Sequence, residues 1–194
     1  MQLLTTLLLA HLFADFPLQT NGLAKLKKEC LAGVFLHVFI YVVITALVIH
    51  EPGKYWLLIL GLGVMHFLID ALKLYYKQIV EIYYFVIDQC LHLLSLAIAT
   101  YFTLCWYGEP PQSTLSYVIV LIGLGCALIL AIMVFCWVWV NSLKEEQVQR
   151  HLLLRWTKYQ MLMLEQRIGL VLIGLVFAAP TYRWLTNIFH LVIP

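Results

Sequence analysis

Long apolar runs broken by short polar stretches dominate the chain. Six runs reach the length of a membrane span, at about 1–19, 31–49, 55–74, 81–106, 115–140 and 165–192. A helix needs ~17–25 mostly apolar residues to cross the hydrocarbon of a bilayer. The pattern therefore predicts an all-α, polytopic transmembrane bundle of about six spans, one domain over 1–194. Pro17 stands near the end of the first run, and Pro180 predicts a kink in the last. The stretch 141–165 mixes charges with Leu152, Trp156, Tyr159, Met161 and Leu164. It reads as a cytoplasmic helix lying on the membrane or extending the fifth span. A docking surface for a cytosolic partner is the alternative.

Basic residues orient the spans, because Lys and Arg of short loops stay cytoplasmic. Lys25, Lys27, Lys28, Lys73, Lys77, Lys144, Arg150, Arg155, Lys158 and Arg167 fall in odd-numbered loops, against only Lys54 and Arg183 on the other side. Both termini are expected outside. Composition agrees with a membrane protein: 63% of the residues are hydrophobic and 11% charged, against about 25% charged in soluble domains. A net charge of +2 argues against nucleic acid. The first run has no basic segment before it, so no cleavable signal is expected. The five cysteines are an odd set, mostly in apolar runs, and read as packing residues rather than a disulfide framework. Tyr and Trp near span ends (Trp56, Tyr75, Tyr76, Tyr83, Tyr84, Trp106, Tyr107, Trp184) read as an interfacial belt. Gly123, Gly125, Gly169 and Gly174 are expected at close helix contacts.

Within the apolar runs, one polar pattern occurs twice. His11 is followed by Asp15 and then His37; fifty-five residues on, His66 is followed by Asp70 and then His92 at the same spacings. Residues i and i+4 share a helix face, so His11 pairs with Asp15, His66 with Asp70, and Asp88 with His92. Gln19 extends the first stripe, and Gln89 adjoins the last. The orientation puts all of them in the cytoplasmic half of the bilayer. Both copies run inward from outside, which predicts a parallel repeat of hairpins 1–50 and 55–106 about an axis along the membrane normal. Asp88 has no counterpart in the first copy, where Gly33 stands.

Ionisable groups at membrane depth cost roughly 2.5–3.5 kcal/mol each on an insertion scale and mark functional sites. A single His–Asp pair would read as interhelical glue, at about 0.6 kcal/mol per hydrogen bond. Seven such groups at one level read instead as a divalent-metal site: His11, Asp15, His37, His66, Asp70, Asp88 and His92, with Gln19, Lys73 and Gln89 in support. Imidazole and carboxylate suit Zn, Mn or Fe, as one or two ions, in the dinuclear case one per repeat. Lys73 at the boundary is one counter-charge, yet metal balances three carboxylates better. Asp88, the unmatched carboxylate, is the expected general base. Haem is disfavoured, because clustered carboxylates beside opposed histidines do not suit it. The function expected is a metal-dependent hydrolase acting on a lipid or lipid-linked phosphate. The alternatives are a proton or divalent-cation transporter or channel component and a non-catalytic subunit docking a cytosolic protein. Membrane lipids, a partner at 141–165 and further copies of the chain are the expected partners.

The segments His-Leu-Phe-Ala-Asp-Phe-Pro-Leu-Gln-Thr (11–20), Leu36–His37, His-Phe-Leu-Ile-Asp-Ala-Leu-Lys (66–73) and Asp-Gln-Cys-Leu-His (88–92) resemble an uncharacterised family of small bacterial inner-membrane proteins. That family carries His-x3-Asp-Phe-x-Leu-Gln, His-x3-Asp and Asp-Gln-x2-His motifs in this order. The resemblance covers about residues 5–100, with a fainter likeness at Glu165 to Gly169. It implies the bacterial inner membrane and the same site residues, and carries no activity.

The orientation has a direct test. Gln112→Cys is expected to react with an impermeant thiol reagent from outside the cell, and Gln147→Cys only after permeabilisation. The reverse pattern would invert the topology.

Overall fold

The computed structural model describes residues 2–75 and 81–192, with side chains in these except 75 and 175–192. The expectations placed on Tyr75, Tyr76, Lys77, Pro180, Arg183 and Trp184 fall outside what is described. Among the described residues eight helices follow one another: α1 (Gln2–Asp15), α2 (Asn21–Glu29), α3 (Leu31–Val48), α4 (Trp56–Tyr75), α5 (Glu81–Tyr107), α6 (Tyr117–Asn141), α7 (Glu145–Arg150) and α8 (Leu152–Val192). The fold is all-α, with no strand among the described residues. Among these, α3, α4, α5 and α6 are long and apolar enough to cross a membrane.

The first expected span is shorter than its apolar run. α1 has 14 residues, about 21 Å at ~1.5 Å rise per residue. Its continuation, Phe16 to Leu18, closes in a turn in which Leu18 N–H donates to Phe13 O; Pro17 supplies no N–H. What α1 loses in length it gains in centrality. It packs on α3, α5 and α6, and Leu7, Ala10 and Ala14 are fully buried. A helix apolar on every side belongs in the middle of a bundle.

The first polar loop folds as α2. Thr20 Oγ1 accepts from Leu23 N–H at its start, a helix N-cap. α2 lies tightly on the start of α3, where a Cβ added at Gly33 would stand 2.4 Å from the Leu26 carbonyl and 2.5 Å from Lys27 N. The position that breaks the sequence repeat thus serves backbone contact, and it brings Lys27 inward.

The stretch 141–165, expected as a cytoplasmic helix, is largely helical. α7 occupies its start, and α8 begins at Leu152 and runs through into the sixth apolar run. The residues 152–164 contain neither Gly nor Pro, so nothing ends the helix before the apolar segment starts. The polar stretch therefore extends the sixth run, not the fifth. Lys158 on α8 pairs with Glu145 on α7 and holds that exposed carboxyl below its usual range.

Two of the four expected glycine contacts are present. A Cβ at Gly123 would meet Leu9 at 3.1 Å, and one at Gly169 would meet Pro17 Cα at 3.1 Å; Gly125 and Gly174 face open space. At the end away from the lysine-rich loops, the connections between α3 and α4 and between α5 and α6 join: His50 N–H donates to Gln112 O and Thr114 N–H to Val48 O. All five cysteines are free.

Surface and interior are reversed relative to a water-soluble protein. Phe35, Phe39, Trp106, Tyr101 and Ile132 are exposed, while His11, Asp15, His37, His66, Asp70, Asp88 and His92 are buried. That is the distribution of a membrane protein, whose polar groups turn inward.

Candidate metal centre

Four helices deliver the seven expected residues to one place. α1 carries His11 and Asp15, α3 carries His37, α4 carries His66 and Asp70, and α5 carries Asp88 and His92. None is more than 6% exposed. Antiparallel packing of α3 on α4 and of α4 on α5 places residues that are far apart in sequence at one level.

The closest geometry involves Asp15, His37 and His66. His37 Nε2 lies 3.1 Å from Asp15 Oδ1 and 3.0 Å from His66 Nε2. His66 Nε2 lies 3.4 Å from the same Asp15 oxygen. Ligand atoms bonded to one tetrahedral ion at about 2.0–2.1 Å sit roughly 3.3–3.4 Å from one another. The triangle thus has nearly the dimensions of three ligands around a single ion. Asp70 Oδ2 stands 3.6 Å from His37 Nε2 and 3.5 Å from His66 Nε2, on the edge of the same set.

Two further groups of potential ligand atoms share members with the first: His11, His66 and His92, and Asp15, Asp88 and His92. Every group draws on both sequence copies. An assignment of one ion per repeat is therefore not the one the geometry makes. The copies interleave, and His37 of the first copy reaches His66 of the second as closely as it reaches its own Asp15.

Imidazole rings form a packed column. Tyr41 stacks on His66 at 4.4 Å between centroids, His66 on His92 at 4.1 Å, and His92 lies 4.8 Å from His11. Tyr41 was not singled out in the sequence, although it stands four residues after His37 and hence on its face. The crowding leaves polar atoms incompletely satisfied. His11 Nε2, His92 Nε2, both Asp70 oxygens and Asp88 Oδ1 lack an aligned hydrogen bond, although ionic partners stand close to the carboxylates. Buried polar groups normally find partners. A donor set of imidazole nitrogen and carboxylate oxygen with unfilled valences suits a divalent cation.

The supporting residues also arrive. Gln89 Nε2 donates to Asp15 Oδ2 at 3.2 Å and to Asp88 Oδ2 at 3.1 Å. Lys73 Nζ lies 2.6 Å from Asp88 Oδ1 and 3.4 Å from Asp70 Oδ1. Gln19 Oε1 accepts from Lys27 Nζ at 3.0 Å. Lys27 is the partner the sequence reading missed. Its Nζ lies 2.8 Å from Asp70 Oδ2, and the residue is only 9% exposed. In the sequence it is one of three lysines in a polar break, and only the capped α2 folded over Gly33 distinguishes it. Two ammonium groups thus balance two of the three carboxylates.

The carboxylates form the floor of a cavity of about 710 Å³. Its walls come from α1, α2, α4, α5, α6 and α8, and include Lys25, Lys28, Phe16, Phe85, Trp137 and Glu165. The exposed side chains of Lys25 and Lys28 set its mouth at the lysine-rich end of the bundle.

Lys27→Met leaves Lys73, 3.4 Å away, as the remaining ammonium beside Asp70, and breaking a buried ion pair costs ~3–5 kcal/mol. We expect a loss near 3 kcal/mol, from reversible unfolding in detergent, of which the added Asp70→Asn restores most. Additive losses in the double variant would mean that the two side chains do not interact.

No curated protein and no solved structure matches the chain. A family model described as a protein of unknown function (DUF3307) matches residues 3–122, a span that holds all seven cluster residues with Gln19, Lys27, Lys73 and Gln89. The chain belongs to this family of unknown function.

Proposed function

We propose that the chain is a metal-dependent hydrolase of the bacterial inner membrane that acts on a lipid or lipid-linked phosphate from the cytoplasmic side. The observation that carries this reading is the triangle of Asp15, His37 and His66 ligand atoms, with edges of 3.0 to 3.4 Å, at a cavity lined by both lysines and carboxylates. Asp15, His37 and His66 would hold one ion, with Asp70 at its edge; Asp88 and His92 are the nearest set for a second. A bound divalent ion polarises a phosphoryl oxygen and lowers the pKa of water.

The chain's own residues supply the rest. Lys27 and Lys73 balance Asp70 and Asp88 at the cavity floor, so that a divalent ion held by Asp15 would leave this end positive for an anionic head group. Gln89 bridges Asp15 and Asp88, fixing the base relative to the triangle. Asp88 takes the proton of the attacking water as the water oxygen bonds to phosphorus, and gives that proton to the leaving oxygen as the bond from phosphorus to it breaks. Phe16, Phe85 and Trp137 line an apolar side suited to the start of an acyl or prenyl chain.

A second reading rests on the ion pairs. Lys27–Asp70 and Lys73–Asp88 already compensate two carboxylates, as in a proton or cation path where charge is passed rather than a metal held.

Metal content separates the two. Elemental analysis of purified protein is expected to find at least one Zn, Mn or Fe per chain, lost in Asp15→Ala and in the His37→Ala, His66→Ala double variant. Turnover of a phosphate-bearing lipid should stop with chelation and fall about 10²–10⁴-fold in Asp88→Asn, the range for a general base. Folded, metal-free protein that conducts protons or cations in liposomes would replace the first reading with the second.

A further inference from the structure

Two buried, unpartnered polar groups of the cavity take no part in the proposed chemistry. Glu165 on α8 is 3% exposed, and its Oε1 has no hydrogen-bond partner. The Tyr84 hydroxyl on α5 is likewise buried and unpartnered. Both residues line the cavity. The placement of Glu165 is built into the packing. Gly169, four residues on and hence on the same face of α8, seats that helix against Pro17 at a distance that leaves no free room for a Cβ.

The cavity's lysines do not serve Glu165. Lys27 takes Asp70, Lys28 takes Glu81, and Lys73 takes Asp88; Glu165 has no ion-pair partner among the described residues. A buried carboxylate needs a cation or a full set of hydrogen bonds. The same cavity is lined by Phe16, Phe85 and Trp137, with the Phe16 and Phe85 ring centroids 6.4 Å apart. Aromatic faces beside a carboxylate are the surroundings that bind an ammonium group.

We propose that the cavity binds a membrane amphiphile with an amine-bearing phosphate head group, whose ammonium takes Glu165, Tyr84 and the aromatic wall. The phosphate then faces the Lys27 and Lys73 end. The phosphate half of this assignment rests on the function proposed above; the ammonium half rests on the cavity alone.

The test uses the full chain in detergent, offered equal amounts of phosphatidylethanolamine, the same lipid with its amine acetylated, and phosphatidylglycerol. Bound lipid is counted by native mass spectrometry. Phosphatidylethanolamine is expected to be retained about tenfold or more over both others, the scale of one charge-assisted hydrogen bond. Glu165→Gln removes the preference while keeping the shape. If that variant does not fold, the comparison of free with acetylated amine decides by itself. Equal retention of the acetylated lipid, preference for phosphatidylglycerol, or retention of none would overturn the proposal. Metal content of the same samples reads the hydrolase separately: amine selectivity in metal-free protein upholds the ammonium site without it, and its loss in metal-loaded protein removes the ammonium site alone.

Discussion

Three carboxylates and four imidazoles in the middle of an apolar bundle are the constraint on which this structure turns. Each ionised group taken into the membrane interior has to recover its lost hydration from a neighbour. The fold meets that demand by convergence. α1, α3, α4 and α5 each bring their polar groups to one level, and α2 folds back to add an ammonium from outside the apolar runs. The central position of α1 follows from the same demand, since Asp15 has to reach histidines on two other helices and the amide of Gln89.

The ion pairs alter how the cluster's charge is understood. Judged from the spans alone, three carboxylates call for one or two divalent ions. With Lys27 on Asp70 and Lys73 on Asp88, two are balanced by the chain, whereas Asp15 faces imidazoles and an amide with no ammonium paired to it among the described residues. It is also the carboxylate of the tightest ligand triangle. Lys27 stands on the Asp70 oxygen that edges this triangle, so an ion that took Asp70 as a fourth ligand would have to displace that ammonium. Metal affinity and lysine position are thereby coupled through one carboxylate.

Much of this was legible in the sequence for a plain reason: in apolar runs, every ionisable residue stands out, and the i, i+4 rule fixes its face. The seven cluster residues, Gln19, Lys73 and Gln89 were all readable on that basis. Lys27 was not, because a lysine among lysines in a polar break carries no periodic signal, and its inward turn depends on the Thr20 cap and on backbone contact at Gly33. Helix ends were harder than helix existence. α1 stops at Asp15 because the chain turns at Phe16 to Leu18, and α8 starts at Leu152 because no breaker precedes the sixth run. The repeat is visible as spacing, but its two halves interleave in space, and spacing alone does not tell interleaving from separate hairpin sites.

X-ray absorption on the purified protein, at the edges of Zn, Mn and Fe, tests the central claim most directly. The account predicts a nitrogen and oxygen shell near 2.0–2.1 Å with the outer-shell scattering of two imidazole rings, reduced to one ring in His37→Ala. No metal at any of these edges, a shell of oxygen alone, or one unchanged by that substitution, would contradict it.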